Sequence, residues 1–151
     1  FERQKVLSKE EVESRYEILM DEYEKQINIE ALTMLDIAKK DILPAASKFS
    51  KELTDTIANK KAIGIDLTYE LETAKKVSEY LAEAYQAMMT LENDVKKLHE
   101  IDDFEKSAFY VRDFIIQDMA SLRKPCDELE VITSNSDWPF PTYGKLLFGI
   151  Q

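Results

Sequence analysis

Glycine, proline, cysteine and histidine are all scarce here, at three, four, one and one among 151 residues. Three glycines could hardly build a phosphate-cradling loop, and no glycine-rich motif of that kind occurs. With leucine, alanine, glutamate and lysine abundant, the shortage of glycine and proline points to a mostly helical chain. A lone Cys126 leaves no internal disulfide to form, which fits a reducing compartment. His99 is the single histidine. A ferritin-like di-iron site needs a glutamate three residues before a histidine on each of two helices, but position 96 is Lys96 and no second histidine exists. Zinc sites and histidine-assisted nucleophiles fail for the same shortage.

Bases are also short, 20 against 30 acids, which argues against a nucleic-acid backbone as partner. There is no apolar run near the ~18 residues a membrane helix needs, and no signal-peptide pattern. The expectation is a cytoplasmic chain with no membrane partner. It begins at Phe1 rather than Met, as expected of a piece excised from a longer polypeptide.

What the sequence does hold is helical periodicity. Ser8 and Glu11 have capping-box spacing, and Leu7 with Val12 fits a hydrophobic staple. Val12, Tyr16, Leu19, Tyr23 and Ile27 then recur in steps of four and three, one stripe on one helix face. Whether Ile27-Asn28 breaks this helix stays open. Beyond it come Ile29, Leu32, Leu35, Ile42, Phe49, Leu53 and Ile57, interrupted by Pro44. Proline cannot donate to the Lys40 carbonyl and crowds it, so a kink or break is expected at Leu43–Pro44. Gly64, preceded by Lys60 and Lys61, marks a helix C-terminus.

Ala74, Val77, Leu81, Ala84, Met88, Leu91, Val95 and Leu98 keep a heptad rhythm from Thr68 to about Leu98. That is a rod of roughly 45 Å. After a short turn, Asp102 with Glu105 is expected to cap a helix carrying Phe104, Ala108, Val111, Ile115, Met119, Leu122, Cys126 and Leu129. Pro125 should kink it against the Ser121 carbonyl. Short turns between long amphipathic rods mean antiparallel neighbours. The fold class is therefore all-α: an elongated up-and-down antiparallel bundle of three to four long helices. Leu19, Leu81, Met88, Leu91, Ile115 and Leu122 are expected in its core.

No residue set here can perform catalysis by itself. Cys126 lies on the apolar stripe, where burial raises a thiol's pKa, and reads as a small core hydrophobe. His99 reads as a surface residue near a helix C-terminus. The acids Glu10, Glu11, Glu13, Glu17, Asp21, Glu22 and Glu24 could suggest a cation site. They interleave with bases at i, i+4, as in Asp21–Lys25, and read as a solvated face. Tyr80, Tyr85, Met88 and Met89 read as core rather than a cofactor box. No catalytic, cofactor-binding or metal-ligating residue is assigned.

One stretch looks like nothing before it. Residues 133–137 form a polar breaker, and WPFPTYGKLLF (Trp138 to Phe148) follows. Two prolines push Trp138 and Phe140 out of the α region, so this strap must run extended. Its aromatics and leucines carry too much apolar surface to leave in water. It therefore docks, through Trp138, Phe140, Tyr143 and Phe148, on the bundle or on a partner. The chain divides into a helical bundle at 1–137 and an extended C-terminal strap at 138–151, within one domain. Pro139-Phe140-Pro141 lacks the PxxP spacing of a polyproline ligand.

Three stretches together carry a family resemblance: SRYEILMDEYEKQINIEALTM (Ser14 to Met34), DIAKKDILPA (Asp36 to Ala45) and the strap. They resemble the C-terminal part of the type III glutamine synthetases, in the right order and over essentially the whole chain. The middle, Asn59 to Ser136, is similar only in helical character and length. Lys145 stands where the family often has an acid, and that position is given no role. The resemblance implies a parent enzyme joining glutamate and ammonia with ATP and divalent metal, magnesium or manganese, through a γ-glutamyl phosphate. It also implies assembly as stacked rings. The residues for that chemistry belong to an upstream catalytic region, and none of those motifs lies within Phe1 to Gln151. The expected role is a structural and assembly domain whose partners are the catalytic region of the same polypeptide and neighbouring subunits. The alternative is a freestanding helical protein-binding module with a groove for a partner helix or peptide.

Overall fold

In the computed structural model, residues 8–141 and Leu146 are described. The capping box at Ser8 forms as its spacing predicts: Ser8 Oγ accepts from the Glu11 N–H at 3.2 Å, and the Ser8 N–H donates to Glu11 at 2.7 Å. From there α1 runs Lys9–Ile37 without interruption, so Ile27-Asn28 is no break.

Pro44 does not break the chain at Leu43–Pro44. The helix instead widens into a π turn over Ala38–Ile42, and α2 continues over Leu43–Ile63. In the wider register the Leu43 N–H reaches the Ala38 carbonyl, and Pro44 falls in the first turn of α2, where no N–H is required. Lys9 to Ile63 is thus one unbroken helical run.

Gly64 ends that run with φ +70°. Its N–H donates to the Lys61 carbonyl at 3.3 Å, and the Ile65 N–H donates to Lys60 at 3.1 Å. These two bonds make a Schellman cap, which requires a left-handed residue that glycine adopts without strain. Lys60 also pairs with Glu70 at 2.5 Å, tying the end of α2 to the start of the next helix.

The heptad segment is α3, Thr68–Leu98, as its periodicity predicts. The final rod opens at α4, Phe104–Tyr110, passes through a second π turn at Val111–Ile115 and ends as α5, Ile116–Ile132. Its cap is Asp103, which accepts from the Lys106 N–H at 2.9 Å; the expected Asp102 lies one residue too early. The irregularity in this rod is the second π turn, and the helix runs on through buried Pro125.

α3 is the central rod, packed along α2 on one side and α5 on the other. Among the described residues there are three long helical runs and no strand. Leu91, Ile115, Leu122 and Leu129 are fully buried, each contributing about 1.5–3 kcal/mol by leaving water. Val77, Met88, Val95 and Leu98 line the same seam, with Leu81 partly buried against it.

Leu19 does not belong to this core: it is 64% exposed. The reason is reach. Lys39 pairs with Glu92 across the α1–α3 seam at 2.9 Å. Antiparallel register then carries the end of α3, Leu98, only to about the level of Thr33. The only buried residues of α1 are accordingly Ala31 and Leu35. Among the described residues, the N-terminal part of α1 extends past α3 and meets the start of the third run.

Candidate interaction surface

The overhang of α1 keeps its apolar stripe, which the described residues leave largely uncovered. Val12, Tyr16, Leu19 and Tyr23 are all exposed, Tyr16 by 60%. What approaches this face is α4. Ser107, buried at the base of α4, donates from Oγ to Glu24 Oε2 at 2.6 Å and fixes the two helices together. Phe104 and Phe109 then rise beside the stripe, and the Arg112 guanidinium lies over the Phe109 ring at 4.9 Å.

Between the helices run two adjoining hollows. One, of about 560 Å³, is lined by Val12, Tyr16 and Phe104 among the carboxylates of Glu13, Glu17, Asp103 and Glu105. The other, of about 300 Å³, is lined by Tyr16, Met20, Tyr23, Phe104 and Phe109. An apolar, aromatic floor with an acidic rim suits association better than chemistry, since aromatics clustered at a desolvated centre supply most of an interface's binding energy.

The periodicity puts Phe104 on the buried stripe and leaves Phe109 off it. The signal for Phe109 was available: it falls off the Phe104–Ala108–Val111 line, an aromatic where a charged residue would be expected.

The strap residues divide. Trp138 packs on the bundle core, and its ring meets Phe140 edge-on with centroids 6.1 Å apart. Phe140 itself remains 37% exposed. Tyr143 and Phe148 lie outside the described residues. The start of the strap is pinned electrostatically. Asp137, its side chain only 2% exposed, takes a 2.8 Å hydrogen bond from Lys48 of α2 and another from Ser134 at 2.6 Å. These two partners hold the Asp137 carboxyl below the usual carboxylate range. The N–H groups of Asp137 and Trp138 both donate to the Ser134 carbonyl at 3.0 Å, turning the chain back toward α2.

A polar cluster that sequence reading missed sits where α3 meets the third run. Asp94, 7% exposed, accepts from Tyr110 Oη at 3.0 Å and from Lys97 Nζ at 2.6 Å. Burial pushes its carboxyl up, but the Lys97 ammonium, the neighbouring Asp118 carboxyl and the Tyr110 hydroxyl outweigh that, leaving it below its ordinary value. Asp118 goes the other way. Burial, then the neighbouring Asp94 carboxylate, raise it to about 6. Its Oδ2 is shut off from solvent with no hydrogen-bond partner. Two carboxyls in one seam cannot both ionise cheaply, so Asp118 keeps its proton up to about pH 6.

Cys126 is buried and its thiol is pushed up to about 11 by burial, as expected of a core residue. His99 is exposed at the C-terminus of α3. Asp21 and Lys25 form the expected surface pair at 2.6 Å. Among the described residues no helix is long and apolar enough to cross a membrane.

The described residues form an all-helical bundle with an exposed aromatic face on α1. Residues 1–61 match the family described as "Glutamine synthetase C-terminal domain". The chain is 35% identical over 153 aligned residues to a glutamine synthetase of Butyrivibrio fibrisolvens, covering 100% of this chain and 22% of that protein. It is 29% identical to a type-3 glutamine synthetase of Dictyostelium discoideum, over 98% of this chain and 21% of that protein. A glutamine synthetase of Bacteroides fragilis (strain YCH46) is 24% identical, over 96% of this chain and 21% of that protein. The first 61 residues are thus similar to the C-terminal domain of glutamine synthetases, and the whole chain is similar to part of three such enzymes. It spans about a fifth of the length of these relatives.

Proposed function

We propose that this chain is the C-terminal structural and assembly domain of a type III-like glutamine synthetase, and that it carries none of the catalytic groups itself. The parent polypeptide joins glutamate to ammonia at the expense of ATP with magnesium or manganese, in the cytoplasm, and the bundle serves its architecture. The observation that carries this reading is the exposed stripe of α1. A freestanding bundle gains nothing from leaving Val12, Tyr16, Leu19 and Tyr23 in water, whereas a domain that meets a larger body does. Similarity over the whole chain to roughly one fifth of each relative supports the same reading.

The test compares three proteins: the full-length polypeptide, the same polypeptide lacking residues 8–151, and residues 8–151 alone. Glutamate- and ammonia-dependent ATP turnover is measured with magnesium or manganese, together with particle mass. The expected result is turnover in the full-length protein, none in the fragment, and loss of assembly in the truncated one. Turnover by the fragment, or a truncated enzyme with unchanged mass and activity, contradicts it.

A further inference from the structure

We propose that the hollow between the overhang of α1 and the start of the third helical run receives a segment of the same polypeptide's upstream region, apolar at its centre and flanked by lysine or arginine. This rests on the reading of the chain as a C-terminal domain.

Three observations select that occupant over a second copy or a foreign peptide. The first is length. Only 22% of the Butyrivibrio protein is matched, and the matching family is a C-terminal domain, so most of such a polypeptide precedes this bundle. The second is position. The exposed stripe from Val12 to Tyr23 lies in the N-terminal half of α1, next to where any preceding polypeptide joins, while the buried residues of α1 begin only at Ala31. A segment tethered there meets the hollow at high effective concentration. The third is charge. Glu13, Glu17, Asp103 and Glu105 surround the larger hollow. Arg112, which lines the smaller one beside Glu105, is already paired with Asp113 at 2.7 Å. A second copy would bring the same acids against this rim, and like charges in register oppose association. An occupant carrying basic side chains around an apolar centre satisfies rim and floor together.

Photo-crosslinking in the full-length polypeptide tests this. The photoreactive residue p-benzoylphenylalanine replaces Tyr16 in one variant and Phe109 in another; both sites are exposed, so the bundle still folds. Val131, 80% exposed on α5, is the control position. The expected result is crosslinking from positions 16 and 109, and not from 131, to a lysine- or arginine-flanked upstream peptide identified by mass spectrometry. A full-length Glu13→Lys, Glu17→Lys variant should lower the yield from position 16 severalfold while leaving the melting temperature of the bundle unchanged. Crosslinks to α1 of a second copy, or none above the control, overturn the assignment. If removing residues 8–151 changes assembly but position 16 fails to crosslink, only this surface assignment fails. If removal changes nothing, the domain reading itself fails.

Discussion

Tyr110 donates a 3.0 Å hydrogen bond to Asp94 across the seam between α3 and the end of α4, and the half-buried Asp118 completes an acidic pair at that point. The pair makes stability depend on pH in a defined direction. Asp118 has a folded pKa of about 6 against an ordinary 3.8, so its contribution is fully present below 3.8 and is lost as pH rises through 6. Asp94 is lowered and contributes oppositely, its share being lost as pH falls. Lys97 and Tyr110 are the other groups facing the pair. Asp118→Asn keeps the shape and removes the proton's release. It is expected to be more stable than the unsubstituted chain at pH 7.5 by on the order of 1 kcal/mol, allowing for solvent screening. Urea denaturation should show that gain shrinking as pH falls through 6 and vanishing only below about 3.8. An offset independent of pH would contradict the arrangement.

Burial separates two leucines that the sequence pattern treats alike. Leu91 is fully buried and Leu19 is 64% exposed. Leu91→Ala is expected to cost about 2–5 kcal/mol of unfolding free energy. Leu19→Ala in the isolated bundle should stay within about 0.5 kcal/mol of the unsubstituted chain. Equal losses at both sites in thermal melts would mean that the overhang is packed.

Local rules explain what was legible beforehand. The capping box at Ser8, the glycine stop at Gly64 and the heptads of Thr68–Leu98 each depend on residues within a few positions, and each appears where expected. The misses have non-local causes. The stripe from Val12 to Tyr23 is periodic enough for a core. Whether it is buried depends on how far α3 reaches, which the stripe itself does not encode. Pro44 signals an irregularity, but the chain absorbs it one turn earlier, because a π turn satisfies the Leu43 N–H where a break would leave it unpaired. Asp94 and Asp118 become a pair only through the register of two rods, and nothing in their separate neighbourhoods marks them. Phe104 and Phe109 join the α1 stripe for the same reason.

Trp138 is the only indole, so its emission reports on the strap alone. It packs against the core with Nε1 enclosed, and Lys48 with Asp137 holds the preceding residue. Emission is expected at shorter wavelength than free tryptophan, with weak iodide quenching. Lys48→Ala, which releases Asp137, should shift emission to the red and increase quenching. A free-tryptophan spectrum in the unsubstituted folded chain would contradict the docking.

Coverage of the α1 stripe in the intact polypeptide is the centre of the account, and hydroxyl-radical footprinting of the tyrosines reads it directly. Tyr16 and Tyr23 lie on the overhang, while Tyr69, 69% exposed at the far end of the bundle, serves as reference. Modification rates are compared between residues 8–151 alone and the full-length polypeptide. Tyr16 and Tyr23 are expected to be modified readily in the fragment and strongly protected in the full-length protein, with Tyr69 unchanged. Equal rates at Tyr16 and Tyr23 in both proteins would show the stripe still facing solvent, and the account would be wrong.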